Sequence, residues 1–280
     1  QSNLVHTITL IMAKAIISST YDDLYFWNIP LVTWAWNRLG VEVICFIPSN
    51  YTYDKRHTKL QLIGKVREQQ NLNLTMLGFS SPAHKEATYA QCSRLYGACL
   101  DLPEDDILIT GDVDMAVFKI PTYGGTGMGV VGLDLVPKNQ VPICYIYGTV
   151  KEWRNRFGIN GKTYQQCLDD LLGDIEADHF RGNYWGKDQE EAYNKILGGS
   201  GHSTQIPRAR PGTQFASNRV DRDDINWRAY VNDDLVDAHL WRPGYTDENF
   251  ANILELMQIK YPQENFSWLV NYNNEYKKLL

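Results

Sequence analysis

The sequence predicts an α/β fold with a mostly parallel central sheet, helices on both of its faces and further helices at the C-terminus. Short β-branched or apolar runs alternate with segments whose apolar residues recur at helical spacing. That alternation is typical of βαβ units, which place successive strands parallel. The chain has 280 residues, of which 44% are hydrophobic and 21% charged. This composition supports a large core, and no low-complexity linker divides the chain into separate domains.

The first part of the chain gives the clearest pattern. A first strand is predicted within residues 8–17, and TYDDLYFWNIPLVTWAWNRLG is predicted to form a loop and then a helix that ends at Gly40. VEVICFIP and LTMLGF are predicted strands, with the helix KLQLIGKVREQQ between them. SPAHKEATYAQCSRLYGACL is predicted as one helix with Pro82 in its first turn, and ILIT is the next strand.

The second part is less regular. VPICYIYG is predicted as a strand, TYQQCLDDLLGDI and KDQEEAYNKILGG as helices, and residues 200–225 as loop. Two helices, ENFANILELMQIKY and ENFSWLVNYNNEYKKLL, are expected to pack on the body. The run GMGVVG, from Gly127 to Gly132, matches a dinucleotide-binding pattern, but a β-like segment follows it where that motif requires a helix. Its glycines more plausibly let the backbone pass close to a ligand.

Charge and cysteine content exclude some classes of protein. A net charge of -6 argues against a nucleic-acid partner bound by bulk electrostatics. The five cysteines have neither disulfide-framework nor zinc-site spacing, so buried thiols in a reducing compartment are expected. The apolar run at residues 8–17 is short and Lys14 interrupts it, so it predicts neither a signal peptide nor a membrane span. A soluble, cytoplasmic protein is therefore expected, in the host cytoplasm if the source is viral.

Asp112 and Asp114 follow the apolar run ILIT, with Val113 between them. In an extended segment, residues two apart point the same way, so the two carboxylates are expected to project together while Val113 faces back. Such like charges repel unless a cation lies between them, and carboxylate oxygens suit Mg²⁺ and Mn²⁺. The pair therefore predicts a divalent-metal site open to phosphate oxygens, with a solvated turn as the alternative.

Two other motifs fit this stretch poorly. An EF-hand loop would need Asp or Asn where the chain has Ala116, and Glu where it has Tyr123. A dehalogenase-type phosphatase also places DxD after a strand, but near the start of its domain and usually with Thr or Val at the position of Ala116.

Four segments, in order, resemble GT-A glycosyltransferases, which use nucleotide sugars. SRLYGACLDLPEDDILITGDVDMAVF is similar to the family's donor-site segment, whose DxD binds a divalent ion on the donor diphosphate. SSTYDDLYFWNIPLVTWAWNRLG resembles the loop that holds the nucleobase and the helix after it. NYWGKDQEEAYNKI resembles the Asp-bearing segment that faces sugar and acceptor, and DAHLWRPGY the segment that carries the third metal ligand in the glycogenin-like branch. The resemblance spans about residues 7–245 and extends to the capsid-glycan glycosyltransferases of large algal DNA viruses.

This resemblance implies a single GT-A, Rossmann-like domain. Its nucleotide-binding half would cover about residues 1–118, its acceptor half about 119–245, and its C-terminal helices about 246–280. The resemblance also implies roles for individual residues: Mn²⁺ or Mg²⁺ on Asp112, Asp114 and His239; nucleotide-sugar contacts from Thr20, Tyr21, Asp23, Arg94, Asp112, Val113 and Asp114; and catalysis by Asp188. One departure bears on the branch: Arg242-Pro243 stands where Lys-Pro-Trp is usual, and the spacing after His239 is shorter.

Each of these residues has a plain structural alternative. His239 beside Leu240 and Trp241 is also typical of a packed histidine, Arg94 of a helix surface, and Asp188 of a helix N-terminus, where a carboxylate caps the helix. That position is expected to keep Asp188 ionised.

The function implied is metal-dependent transfer from a UDP-sugar, with xylose, glucose or galactose favoured, to a glycan or glycoprotein acceptor. Inversion is favoured slightly, because the chain offers one well-placed carboxylate and no obvious second. A homodimer is compatible with these expectations. The alternatives are a non-catalytic protein that binds nucleotide sugars or carbohydrate and, more distantly, a DxD phosphatase.

Overall fold

The structure is a computed structural model, and it describes residues 12–49, 55–120, 127–131, 139–175, 186–198, 203–206 and 218–280. Its strands are β1 (Ala13–Ser18), β2 (Glu42–Pro48), β3 (Leu74–Phe79), β4 (Ile107–Thr110), β5 (Met115–Val117), β6 (Met128–Val131), β7 (Ile146–Thr149), β8 (Ser203–Ile206), β9 (Asn218–Val220) and β10 (Leu235–His239). Its α-helices are α1 (Asp23–Phe26), α2 (Ile29–Arg38), α3 (Lys55–Gln69), α4 (Glu86–Ser93), α5 (Val150–Phe157), α6 (Tyr164–Leu172), α7 (Lys187–Ile196), α8 (Asp247–Lys260) and α9 (Ser267–Lys277).

Seven strands form the central sheet, in the order β3-β2-β1-β4-β7-β6-β8. Every neighbouring pair is parallel except β4–β7 and β6–β7, because β7 runs against both of its neighbours. The chain builds outward from β1 to β2 and β3, and then returns to the other side of β1 with β4. The strand order therefore reverses between β1 and β4, and ligands bind at such a reversal in open α/β sheets, at the carboxyl ends of the strands.

Alternating residues of the central strands feed two hydrophobic cores, one on each face of the sheet. On β1, Ala15 and Ile17 join the core that contains α2, α8 and α9, whereas Ile16 joins the core of α4, α5, α6 and α7. Strands covered on both faces lack a polar side, which is why they read as continuous apolar runs. The predicted mostly parallel sheet, its two helical layers and the C-terminal helices are confirmed.

A second, three-stranded sheet has the order β5-β10-β9. β5 begins directly after Asp114, and its antiparallel pairing with β10 sets His239 opposite Met115. β9 is parallel to β10, with Val220 opposite Ala238. This small sheet brings segments more than one hundred residues apart to the end of β4, where the DxD stretch lies.

Several sequence predictions about individual elements need correction. The first strand begins at Ala13, and residues 8–11 lie outside the described residues. The helix predicted across residues 81–100 is divided into a 3-10 turn at Ala83–Lys85, the helix α4, and a second 3-10 segment at Arg94–Cys99. Residues 200–225, predicted as loop, contain the strands β8 and β9.

Two further corrections concern the chain around Thr149. The strand predicted across VPICYIYG forms only from Ile146 onward, because the hydroxyl of Thr110 donates to the Ile143 carbonyl (2.5 Å) and fixes that segment as a turn. Helix α5 was not predicted at all. It begins with a capping box in which Thr149 and Glu152 exchange hydrogen bonds of 2.8 and 3.1 Å, a signal that is present in the sequence as T-x-x-E.

None of the described helices combines the length and the apolar character that crossing a membrane requires.

Candidate functional site

A cavity of about 300 Å³ opens at the carboxyl ends of β1 and β4, where the strand order reverses. Its walls come from the segment after β1, helix α4, the DxD turn after β4, the segment before β7, the start of α7, and the ends of β9 and β10. The cavity therefore collects residues from several distant segments of the described chain at the position that the fold predicts for a ligand.

Arg94 organises one side of this cavity. Its guanidinium forms ion pairs with Asp112 and with Asp188, at 2.9 Å from Nη2 to Asp188 Oδ2. Nη1 also donates to the Gly111 carbonyl at 3.1 Å. Only 8% of the Arg94 side chain is exposed, so the interpretation of Arg94 as a residue of the helix surface is wrong. One buried cation thus joins the first aspartate of the DxD stretch to the aspartate at the start of α7.

Asp188 is the second residue of α7, and its carboxylate is 2% exposed. The helix start is anchored to the other cavity wall because Val141 N donates to the Gln189 carbonyl at 3.2 Å. Burial raises the pKa of Asp188 above its usual value, and the adjacent Asp112 charge acts in the same direction, while Arg94 opposes both. Burial is the largest of these influences on the pKa of Asp188. That Asp188 is ionised at neutral pH stays a prediction.

Asp114 lies in a different cluster, which the small sheet assembles. Pairing of β5 with β10 places the Asp114 carbonyl 2.8 Å from Leu240 N and its Oδ2 3.3 Å from His239 Nε2. Arg222 Nη1 and Arg242 Nε reach the same Oδ2 at 2.9 and 3.3 Å. Three nitrogen-bearing side chains therefore surround one carboxylate that is 7% exposed.

This surrounding shifts the pKa values of Asp114, His239 and Asp221. Burial disfavours the charged form of Asp114, but the hydrogen bond with His239 and the charges of His239, Arg242 and Arg222 outweigh it and hold its pKa below the usual range. Burial likewise lowers the pKa of His239, but hydrogen bonds to Asp114 and Asp221 raise it by more. The bond to His239 in turn lowers the pKa of Asp221 to about 2.

The DxD stretch forms a turn, and the prediction of an extended segment is wrong. Met115 N donates to the Asp112 carbonyl at 3.2 Å, which is a hydrogen bond across four residues. Asp112, Val113 and Asp114 all line the cavity, although Val113 is 5% exposed and belongs to a core. The two carboxylates reach one cavity but have separate partners.

The segment after β1 contributes residues other than those predicted. Thr20 lines the cavity, together with Asp22 and Tyr25, which were not predicted. Tyr21 instead points into a core and donates to the Pro48 carbonyl at 3.0 Å.

Asp23 is also directed away from the cavity. It lies 2.5 Å from both Lys59 Nζ and the Tyr276 hydroxyl, so it ties α1 to α3 and to the C-terminal helix α9. Tyr21 and Asp23 are absent from the described cavity lining, since both side chains are held by the contacts given above.

Arg222 and Arg242 were missed as site residues. Arg242 was noted only as a departure from a family motif, and its guanidinium lies 4.8 Å from the centre of the Tyr25 ring. Arg222 lies in a polar stretch with no periodicity, and only the pairing of β9 with β10 brings it to Asp114. A sequence signal for Arg222 was therefore lacking.

The residues proposed to bind a metal can be tested against this geometry. Asp112 and Asp114 supply hard oxygens and His239 an imidazole nitrogen, a donor set that suits Mn²⁺ or Mg²⁺ in kind. All three side chains line the same cavity. Within the described part of the chain, however, no three His, Cys, Asp or Glu side chains are grouped closely enough to hold an ion. The chemistry of the donors fits a divalent ion, and in this conformation arginine guanidinium groups meet the same carboxylates.

The glycine-rich run has a structural explanation. Gly127, with φ of +99°, precedes β6, and Gly129 lies within it. A Cβ at Gly129 would overlap the ring of Tyr147 on the neighbouring strand. Gly129 thus makes room for a tyrosine rather than for a ligand, while Gly132 lies outside the described residues. Tyr184 and Trp185, in the NYWG stretch just before α7, are also outside the described residues.

Comparison with known proteins places the fold. No protein-family model matches the sequence, and no curated protein matches it. Among solved structures, the Q189E active-site mutant of LgtC matches with a TM-score of 0.50 at 9% identity, over 95% of this chain and 100% of that one. LgtC, a galactosyltransferase, in complex with donor and acceptor sugar analogues gives 0.49 at 10% identity over the same shares. A mannosyltransferase from Pyrobaculum calidifontis, in complex with GDP-Man and Mn²⁺, gives 0.40 at 10% identity, over 94% of this chain and 73% of that one.

At these identities the likeness concerns the fold. The chain is an α/β domain of the GT-A type, with the mostly parallel sheet and added helices described above.

Proposed function

We propose that this chain is a glycosyltransferase that moves a sugar from a UDP-sugar to a glycan or glycoprotein acceptor with the help of Mn²⁺ or Mg²⁺. One observation carries the proposal. A single cavity at the strand reversal is lined by two carboxylates, an imidazole and several guanidinium groups, and also by the buried carboxylate of Asp188. Cations suit a diphosphate, and a further carboxylate, that of Asp188, suits an acceptor hydroxyl. The resemblance of the four sequence segments supports the same function.

Asp112, Asp114 and His239 would hold the divalent ion. Bound there, it would neutralise charge that develops on the departing diphosphate. The chain's own residues contribute in the same direction, because Arg222 and Arg242 place two further positive charges on the cavity wall. Arginine forks match phosphate oxygens in geometry as well as in charge.

Asp188 is proposed as the general base that accepts the proton of the acceptor hydroxyl. A base works best when its pKa lies near the operating pH, and burial moves the pKa of Asp188 toward that range. Arg94 limits the rise and fixes the carboxylate by a 2.9 Å hydrogen bond to Oδ2. A single carboxylate in this role favours inversion at the anomeric carbon.

The nucleotide is proposed to lie against the segment after β1. Thr20, Asp22 and Tyr25 line that wall of the cavity, and the Tyr25 ring offers an apolar face to a uracil base. In this proposal Asp22 and Tyr25 replace Tyr21 and Asp23, whose side chains face elsewhere.

The test is a panel of nucleotide sugars, with UDP-xylose, UDP-glucose and UDP-galactose first, assayed for transfer and hydrolysis with Mn²⁺ and after EDTA treatment. We expect turnover of a UDP-sugar when Mn²⁺ is present and none after EDTA treatment. Calorimetry should give tighter binding of UDP than of GDP. Binding of the UDP-sugar without turnover on any acceptor would identify a carbohydrate- or nucleotide-binding protein instead. Release of phosphate without a nucleotide sugar would point to a phosphatase.

A further inference from the structure

Arg222 takes up an unusual position within the cavity. Its Nη1 lies 2.9 Å from Asp114 Oδ2, and its Nη2 contacts both ring nitrogens of His239, at 3.2 Å from Nδ1. The same guanidinium thus faces two of the three side chains that would bind a divalent ion. Asp114 Oδ2 and His239 Nε2 are themselves only 3.3 Å apart, so both are directed at one small volume.

A metal and a guanidinium cannot use these groups together. A divalent ion held by Asp114 and His239 would lie beside the Arg222 guanidinium, and positive charges that close together repel. A divalent ion would therefore enter only after the Arg222 side chain had left.

We propose that Arg222 is a built-in cation that occupies the metal position while no donor is bound, and that metal binding displaces it. This inference rests on the proposed metal-dependent function. Displacement is feasible because Arg222 follows the short edge strand β9 and its side chain is 15% exposed. Its additional contact, from Nη1 to the Leu240 carbonyl, is long at 3.4 Å.

The displaced guanidinium has a natural new partner in the diphosphate of the donor. A planar fork of donors pairs with phosphate oxygens in two parallel hydrogen bonds. Metal alone would bind weakly, since it must break the contacts of Arg222 without replacing them. Metal with nucleotide would bind well, since the diphosphate restores those contacts. Arg222 thereby couples the two ligands, and such coupling is reciprocal.

Arg242 provides a matched comparison. It carries the same charge and reaches the same Asp114 oxygen, through Nε at 3.3 Å. Its guanidinium also lies over the Tyr25 ring, 4.8 Å from the ring centre. Removing Arg242 therefore changes the charge near Asp114 while the Arg222 guanidinium stays against both Asp114 and His239.

The experiment measures Mn²⁺ affinity by electron paramagnetic resonance on the full chain, first without nucleotide. Arg222→Gln should bind Mn²⁺ about tenfold more tightly than the wild type, the scale of one hydrogen bond to a charged group. Arg242→Gln should gain clearly less. Arg228→Gln, which removes an exposed arginine paired with Glu255, should bind as the wild type does. Equal gains for Arg222→Gln and Arg242→Gln would show that charge alone matters and would overturn the proposal.

Adding UDP tests the coupling. In the wild type, UDP should tighten Mn²⁺ binding strongly, because its diphosphate pairs with the displaced Arg222 guanidinium. In Arg222→Gln most of that effect should be lost, because the variant has no guanidinium at this position. The ratio of the Mn²⁺ affinities with and without UDP could also be the same in Arg222→Gln as in the wild type. That result would overturn the inference, while the proposed UDP-dependent transfer could still be correct. Tighter Mn²⁺ binding in Arg222→Gln without any affinity for UDP would support the metal position and contradict the proposed function.

Two additional variants make the result specific. Asp114→Asn combined with Arg222→Gln should lose the gain in Mn²⁺ affinity, and a retained gain would place the ion elsewhere and overturn the proposal.

Arg222→Lys keeps the charge, but an ammonium group cannot span Asp114 and His239 as a planar fork does. It should show part of the gain, which provides a second test if Arg222→Gln proves unstable in a thermal melt. Wild-type affinity in Arg222→Lys would then contradict the bridging role.

Discussion

Asp112 and Asp114 are two residues apart, and yet they belong to different parts of the site. Asp112 is 30% exposed and pairs with Arg94, which it shares with Asp188. Asp114 is 7% exposed and lies among Arg222, His239 and Arg242. Because the stretch turns, one carboxylate meets the helical layer and the other meets the small sheet.

The difference shows how one short motif can serve two purposes. The Asp112 side is continuous with Asp188, so it bears on the protonation of the proposed base. The Asp114 side is rich in cations, so it bears on the ion and the diphosphate. Variants on the two sides should therefore change different quantities, and three predictions examine that separation in order of decreasing effect.

The largest effect is expected at Asp188. Asp188→Asn should lower kcat by about 10²–10⁴-fold, the usual scale for loss of a general base. Affinity for UDP in Mn²⁺ should hardly change, because Asp188 contacts Arg94 and not the Asp114 cluster. Steady-state kinetics with calorimetry measures both quantities.

Glu190→Gln is the matched control for Asp188→Asn, since Glu190 lies in the same first turn of α7 but is exposed. It should behave as the wild type does. A kcat near the wild-type value in Asp188→Asn would remove Asp188 from the mechanism. The Asp112 side of the site would then have no separate role in proton transfer.

Much of the fold could be predicted from the sequence because its signals are local. The βαβ alternation before Asp112 depends on hydrophobic runs and helix stops such as Gly40, and it reappears in the structure as the β3-β2-β1-β4 part of the sheet. β9 is three residues long in a polar stretch, and only its pairing with β10 makes it a strand. Such pairing is not visible in a local window.

The site divides in the same way. Asp112 and Asp114 could be singled out from their adjacency, and His239 and Asp188 from a family resemblance. Arg222 could not, because its importance lies in a contact across the small sheet. Tyr21 was singled out although it is a core residue, because a sequence pattern does not tell which side chains of the segment between β1 and α1 face the cavity.

The second prediction concerns the stability of the metal-free protein. Asp114→Asn should reduce the free energy of unfolding by about 3 kcal/mol, because it removes a buried carboxylate that pairs with several partly buried cations. Asp112→Asn should reduce it by at most about 1 kcal/mol, since Asp112 is partly exposed and Arg94 keeps Asp188 as a partner. Urea unfolding at neutral pH measures both. Equal losses in the two variants would mean that burial does not distinguish the two carboxylates.

The smallest expected effect is a shift in the pKa of Asp188 when the charge of Arg94 is removed. Burial raises the pKa of Asp188, Arg94 lowers it, and Asp112 raises it. Arg94→Gln removes a lowering influence, so the titration of Asp188 should move to higher pH. Arg94→Lys retains the charge and should move it less. Asp112→Asn removes a raising influence and should move it to lower pH, whereas Asp114→Asn should leave it nearly unchanged, since Asp114 is not among the main influences on the pKa of Asp188.

Carbon-13 NMR of the labelled Asp188 carboxyl group follows this titration without requiring activity, which matters because several of these variants should be poor enzymes. The nearby Cys92 and Lys187 are the same in all variants, so their influence cancels in the differences. Below its pKa the carboxyl group is protonated and cannot accept a proton, so a higher pKa in Arg94→Gln confines the competent form to more alkaline solution. A shift in Asp114→Asn as large as that in Asp112→Asn would show that the two aspartates act on Asp188 as one unit, and the separation of the site into two sides would be wrong.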